Sequence, residues 1–298
     1  MKNSDINIRD PYVMFHDNKY YMYGTRSATT WGIAKGFDCY VSENLEDWEG
    51  PFEIFSNDGT FWADRNYWAP ECYHYNDNFY FVTTFGSEEK MGIQILISDN
   101  PLGPFVAHTN EIITPKDWKC LDGTLYFDED KTPYLVFGRS FQDVILGEMY
   151  SAKMSKDLKS FVEKPKFLFN ASDAPWSYPI PFAKKQFNMD GSVYLVDGPS
   201  IYRTSDGTLI MLWSSWGEKG YAVGTALSKN GKITGEWIHN EKPFYSENGG
   251  HGMIFNDENN NKMYYVLHYP NDLYKEKPFF QEIIEKDNKL IKILENRV

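Results

Sequence analysis

The chain has 298 residues, 17% of them aromatic, and its 30 Lys and Arg against 42 Asp and Glu leave a net charge of −12. That field repels polyanions, which excludes nucleic acid and anionic membrane surfaces as partners. No apolar run approaches the roughly 20 residues of a bilayer-spanning helix, and 42% hydrophobic with 24% charged residues is the composition of a folded globular chain.

Met1-Lys2-Asn3-Ser4-Asp5 is polar and leads into no apolar stretch, so no secretory signal is visible and a cytoplasmic location is expected. Cys39, Cys72 and Cys120 are odd in number and widely spaced. They make neither a disulfide framework nor a zinc motif, and buried free thiols are expected.

Five segments share one cadence, opening at Arg9, Ala69, Leu121, Val196 and Gly249: RDPYVMFHDNKYYMYGT, APECYHYNDNFYFVTTF, LDGTLYFDEDKTPYLVFG, VDGPSIYRTSDGTLIMLWSS and GGHGMIFNDENNNKMYYVLHY. In each, a turn rich in Asp, Asn or Gly joins two alternating strands, the signature of a hairpin. Third strands are predicted over 37–42, 92–98, 148–154 and 221–228, and fourth strands near 52–55, 105–106, 161–169 and 237–244. Lys286 to Val298 is expected to supply a closing strand and a polar end. Four strands per segment, five times over, predict an all-β fold, a five-bladed β-propeller. No helical pattern separates the strands, which argues against a parallel α/β fold, and no linker divides the chain, so one domain over 1–298 is expected.

In a propeller the first strand of every blade lines the central channel, so the segment openings meet at one mouth. Those openings carry Asp10, Glu71, Asp122, Asp197 and His251. Clustered carboxylates raise one another's pKa, a cost that reaction chemistry can use. Glycoside hydrolysis needs one carboxyl protonated, to serve the leaving oxygen, and another ionised. Each residue also has a plainer reading: Asp before Pro starts turns, Asp-Gly marks hairpins, and a lone His is often only packed.

R-D-P at Arg9, W-A-P-E at Trp68, L-D-G at Leu121, D-G-P at Asp197 and G-H-G at Gly250, one per segment and in this order, resemble glycoside hydrolase family 43. The resemblance runs from Arg9 to about Tyr269. It implies a five-bladed propeller, a β-xylosidase or α-L-arabinofuranosidase type of activity on terminal residues of short oligosaccharides, and inversion at the anomeric carbon. Asp10 resembles the general base and Asp122 the aspartate that orients and tunes the acid. His251 resembles the channel histidine beside a central calcium or water site. No organic cofactor is implied. Base and acid of an inverting enzyme are expected roughly 6.5–9.5 Å apart.

The sequence departs from the family where the general acid is usually Glu: here it is Asp197, whose carboxyl retreats by about 1.5 Å. Glu71, Glu218 and Glu247 are the fallback acids. The alternative reading is a carbohydrate-binding propeller that has lost hydrolysis, with Asp197 as the lesion. A protein-interaction propeller ranks last, because it gives no reason for the carboxylates. Trp31, Trp62, Trp68, Trp176 and Trp216 are candidate sugar platforms. Arg203 is a candidate carboxylate contact, with Arg26 and Arg139 as weaker ones. Trp48 and Leu158 are expected to pack between blades. The expected partner is an oligosaccharide, and nothing in the sequence fixes an oligomeric state.

Overall fold

The structure, a computed structural model, describes residues 1–293. Among these residues, twenty strands form five four-stranded antiparallel sheets, each built from strands consecutive in sequence. Blade I is β1 (Ile8–His16), β2 (Lys19–Arg26), β3 (Gly36–Ser42) and β4 (Trp48–Ser56). Blade II is β5 (Arg65–Tyr75), β6 (Asn78–Gly86), β7 (Met91–Ser98) and β8 (Val106–Ala107). Blade III is β9 (Cys120–Phe127), β10 (Pro133–Arg139), β11 (Glu148–Lys153) and β12 (Lys166–Asn170). Blade IV is β13 (Asp197–Arg203), β14 (Leu209–Gly217), β15 (Gly220–Ser228) and β16 (Trp237–His239). Blade V is β17 (Gly250–Asp257), β18 (Lys262–Tyr269), β19 (Lys277–Lys286) and β20 (Lys289–Lys292). The innermost strands β1, β5, β9, β13 and β17 touch in a closed ring. The fold is a five-bladed β-propeller.

Local chemistry explains the hairpins. Asp17-Asn18, Asn76-Asp77 and Asp287-Asn288 adopt positive φ at both turn positions. That is the turn whose twist matches paired strands, and Asn and Asp tolerate it best. The closing strand expected after Lys286 is β20; residues 294–298 lie outside the described residues.

The core is divided among the blade interfaces. Phe37, Phe81, Phe85 and Tyr67 pack between blades I and II, and Trp213, Trp176 and Phe169 between III and IV. Similar clusters fill the other three interfaces. Many of the buried aromatic side chains therefore pack between blades, Trp48 among them, and Leu158 is buried in an inter-blade cluster too. The three cysteines are buried and unbridged.

Among the described residues no strand is exchanged to close the ring. Blade V meets blade I through Met253, Phe255 and Val266 against Ile8, Val13 and Met22, and through one buried ion pair, Arg9 Nη1 to Glu276 Oε1 at 2.8 Å. Removing one partner of such a pair costs about 3–5 kcal/mol, because the other charge is left buried alone.

Between β12 and β13 the chain makes an excursion with a short helix, α1 (Ala183–Phe187). It has a core of its own: Ile180, Ala183 and Val193 pack with Phe141, and Phe182, Phe187 and Trp216 lie against them. This excursion forms one wall of the channel mouth.

Candidate active site

Strand register fixes which residues are equivalent in the five blades. The residues of the inner strands opposite Thr25, Thr84, Gly138, Ser214 and His268 are Arg9, Trp68, Leu121, Asp197 and Gly250. The next residue in every blade has a left-handed backbone: Asp10 (φ 53°), Ala69 (47°), Asp122 (55°), Gly198 (47°) and His251 (44°). Pairing shifts register around this residue, as at a β-bulge, which re-aims side chains at the end of a strand. The structure thus corrects the expected equivalence. Asp10, Asp122 and His251 occupy matching positions, Asp197 sits one residue earlier, and Glu71 two residues later.

The left-handed residue is held by the neighbouring blade. Its N–H donates to Thr25 Oγ1 from Ala69 (2.8 Å), to Thr84 Oγ1 from Asp122 (2.8 Å), to Ser214 Oγ from His251 (2.9 Å) and to His268 Nδ1 from Asp10 (3.2 Å). In the fifth case the facing residue, Gly138, has no side chain, and the Gly198 N–H instead points at Asp122 Oδ2, 3.5 Å away. Glycine is required at 198 for a second reason: an added Cβ would lie 2.8 Å from the His251 ring.

Three carboxylates converge on one nitrogen. His251 Nδ1 lies 2.6 Å from Asp197 Oδ1, 3.4 Å from Asp10 Oδ1 and 3.8 Å from Asp122 Oδ2. The inner oxygens of Asp10 and Asp197 therefore stand at most about 6 Å apart. That is closer than the 6.5–9.5 Å expected of an inverting pair. The cause is the shared imidazole, which draws both oxygens inward.

The charges follow from this packing. Burial alone would disfavour an imidazolium, but the charges of Asp10, Asp197 and Asp122 push His251 up to about 10, so it is protonated. Burial also opposes ionisation of Asp10. The charges of His251 and Arg9 outweigh it and hold this carboxyl well below the usual range. Thr25 Oγ1 donates to Asp10 Oδ2 at 2.6 Å, a further bond that favours the ionised form. Asp122 goes the other way: burial and the Asp197 charge push it well above the carboxylate range. Asp197 is brought down to about 2 against its burial, chiefly by the His251 charge. The Asp122–Asp197 pair thus holds one proton and Asp10 holds none.

The mouth above this cluster is lined on one side by Trp31 and Trp68 and on the other by Phe141, Gln142 and Phe187. Trp31 is 56% exposed and meets Trp68 edge-on at 5.3 Å, while Trp68 Nε1 donates to Thr30 O at 2.7 Å. Both are placed as a sugar platform would be.

Other expected contacts lie elsewhere. Arg203 is at the far end of β13, about 20 Å along the strand from Asp197, and bonds Gly207 O, Tyr126 Oη and Gly231 O. Trp216 packs edge-on against Phe182 at 5.1 Å, behind the mouth. Trp176 is buried in the core, and Trp62 binds Gln94 Oε1. Arg26 pairs with Asp38 and Glu53, and Arg139 with Asp143 and Glu148. Glu218 and Glu247 are exposed and outside the lining. Glu71 lies deeper in the channel, bonded by Tyr73 Oη. Burial raises it to about 7 against hydrogen bonds from Tyr73 and Thr124.

Asp122, Asp197 and His251 can each turn one ligand atom toward a common point. The set does not fit calcium, which takes six to eight oxygens. It offers two carboxyls and a ring nitrogen that carries a proton. The imidazolium is itself the cation this cluster surrounds.

Sequence reasoning missed Thr25, Tyr221, His268 and Asn271. Tyr221 Oη donates to Asp197 Oδ2 at 2.7 Å. His268 Nε2 faces Asn271 Oδ1, which also accepts from Arg9. These residues come from second and third strands or the loops after them, where no local pattern marks them.

Comparison with known proteins agrees with this geometry. The model of glycosyl hydrolases family 43 matches residues 5–283. The solved endo-arabinase from Bacteroides thetaiotaomicron VPI-5482 is 35% identical, with a TM-score of 0.87, over 97% of this chain and 98% of that one. An endo-1,4-beta-xylanase from the same organism is 26% identical, with a TM-score of 0.74, over 99% and 96%. Among curated proteins, the extracellular endo-alpha-(1->5)-L-arabinanase 1 of Bacillus subtilis (strain 168) is 22% identical over 240 residues, 76% of this chain and 69% of its own. With carboxylates from three blades gathered at one propeller mouth, and the family's pattern matched along nearly its whole length, this chain belongs to glycoside hydrolase family 43.

Proposed function

We propose that this protein hydrolyses α-1,5-linked L-arabinofuranosyl bonds within arabinan chains, with inversion. The reading rests on one observation above all: the carboxyls of Asp10, Asp122 and Asp197, from three blades, converge on the single His251 Nδ1 at the channel mouth. Arabinan is favoured over xylan because the 35%-identical relative, which covers nearly the whole chain, is named an endo-arabinase. This shifts the expectation from release of terminal pentoses to internal cleavage.

Asp10 takes a proton from water as the water oxygen bonds to the anomeric carbon. The bond from that carbon to the leaving oxygen breaks, its electron pair staying on the oxygen, which receives the proton held by the pair. Asp197 delivers that proton, because its side chain is 16% exposed at the mouth against 4% for Asp122. Asp122 stores it. Asp10 later loses its proton to solvent and the pair regains one. His251 offsets the negative charge throughout. Asp197 must leave His251 to reach a leaving oxygen, and that movement widens the gap to Asp10.

Linear arabinan, xylan and the aryl glycosides of α-L-arabinofuranose and β-D-xylose decide the substrate. Arabino-oligosaccharides of several lengths appearing together from arabinan support the proposal. Release of only single pentoses, or turnover of xylan alone, refutes it. Proton NMR of the first product reads the stereochemistry: inversion is expected, and retention would assign a covalent role to a carboxylate at the closer spacing.

A further inference from the structure

Tyr221 and His268 lie ring to ring beneath the carboxylates, with centroids 5.5 Å apart and planes 17° from parallel. Tyr221 opens β15 in blade IV and His268 is on β18 in blade V. Each touches a different reacting group. Tyr221 Oη donates to Asp197 Oδ2 at 2.7 Å. His268 Nδ1 accepts the Asp10 N–H at 3.2 Å and stands 3.3 Å from Asp10 Oδ1. We infer that Tyr221 and His268, seated together by their stack, are positioning residues, Tyr221 for the acid Asp197 and His268 for the base Asp10. The inference rests on the glycosidase reading above.

The pair is built into the fold rather than fortuitous. Tyr221 is 2% exposed and His268 fully buried. Gly250 makes the space for Tyr221, since a Cβ there would lie 2.7 Å from its ring. His268 keeps Nδ1 free as an acceptor because its other nitrogen, Nε2, faces Asn271 Oδ1 at 3.2 Å. Asn271 Oδ1 is fixed in turn by Arg9 Nη1 at 2.9 Å, and Arg9 by the buried Glu276. A chain of contacts therefore runs from the ring closure between blades I and V to both reacting carboxylates. A neutral tyrosine hydroxyl is a fitting holder for Asp197: it restrains one oxygen and leaves the carboxyl free to carry a proton.

The two members act on different halves of the reaction, so leaving-group chemistry separates them. A dinitrophenyl arabinoside needs little protonation of its leaving oxygen; an arabinan oligosaccharide needs much. Tyr221→Phe keeps the stack and loses only the bond to Asp197. It is expected to slow the oligosaccharide about 10–100-fold and the activated glycoside less than about threefold. His268→Phe keeps the stack and orphans the Asp10 N–H, so it should slow both substrates equally. His268→Asn restores an acceptor near the Nδ1 position and should recover part of that loss. Equal losses on both substrates in Tyr221→Phe, or losses that merely follow thermal stability across the three variants, would overturn the inference.

A readout without turnover keeps the inference apart from the glycosidase reading. Titrating the carboxyl 13C resonances, Tyr221→Phe should move Asp197 and leave Asp10 in place, and His268→Phe should do the reverse. If wild type cleaves nothing but these resonances respond so, the function is wrong and the positioning roles stand. If neither responds, the positioning roles are refuted whatever the enzyme cleaves.

Discussion

Blades I and IV each bring one carboxylate to the mouth, by opposite means. In blade I the left-handed residue is itself the acid group, Asp10, and its N–H is received by a side chain of the adjoining blade, His268. In blade IV the left-handed residue is Gly198, the carboxylate is the residue before it, and the facing residue, Gly138, offers nothing. Asp122 fills that gap by facing the Gly198 N–H. Ring symmetry thus provides five like positions, and the chemistry arises where one of them breaks the rule. The break brings Asp122 and Asp197 together, and their proximity leaves a proton between them.

The strongest way to break this contrast is Asp197→Asn, which leaves the bulge intact and removes the proton carrier. A loss of about 10²–10⁴-fold is expected on oligosaccharides, with far less on activated aryl glycosides. Steady-state kinetics on the two substrate types reads the difference, and a uniform loss would deny Asp197 the acid role.

Gly198→Ala tests the backbone side of the contrast. Blade II tolerates Ala69 at the same left-handed position. At 198 the new methyl meets His251. A cost of about 1–3 kcal/mol in chemical denaturation is expected, with activity falling beyond what that cost explains. Ala69→Gly should leave activity unchanged within about twofold, since Ala pays a left-handed penalty of only about 1 kcal/mol there.

Glu71 extends the comparison down the channel, where a lone carboxyl feels the His251 charge too weakly to offset its burial. Its folded value of about 7 lies above the ordinary 4.5. The folded state therefore binds more proton than the unfolded one between these values. Its stabilising effect is complete below pH 4.5 and fades as pH rises through 7, by up to about 3 kcal/mol. Glu71→Gln should flatten that slope in denaturation measured from pH 4.5 to 7.5. An unchanged slope would show Glu71 ionised in the folded protein.

Thr25→Val and Thr84→Val separate two roles of the facing residue. Thr25→Val removes the donor to Asp10 and the acceptor for the Ala69 N–H together, whereas Thr84→Val removes only the acceptor for Asp122. Both should lose about 1–3 kcal/mol of stability, but only Thr25→Val should also raise the acidic limb of the pH–rate profile.

The propeller was legible because a repeat leaves its mark in every blade. The turns, four of the five third strands and the order of the motifs appear in the sequence, β19 (Lys277–Lys286) being the one not read, and Asp10, Asp122, Asp197 and His251 do meet. What escaped was register. Aligning the openings by their acidic residues made Glu71 and Asp197 equivalent to Asp10, whereas the bulge aligns Ala69 and Gly198 with it. Arg203 follows Asp197 closely in sequence, yet an extended strand carries it to the other end of the blade. Tyr221 and His268 reach the site across blade boundaries, and His268 reads locally as one more residue of an alternating strand.

Asp10→Asn on linear arabinan tests the central claim most directly, with binding of arabino-oligosaccharides measured beside it. The account predicts that wild type releases reducing ends and that the variant binds the same sugar but cleaves about 10³–10⁴-fold more slowly, the share of a positioned general base. A wild type that binds arabinan and does not cleave it, or a variant that cleaves as fast, would contradict the account. The first result would mark a carbohydrate-binding propeller, and the second would place the base elsewhere.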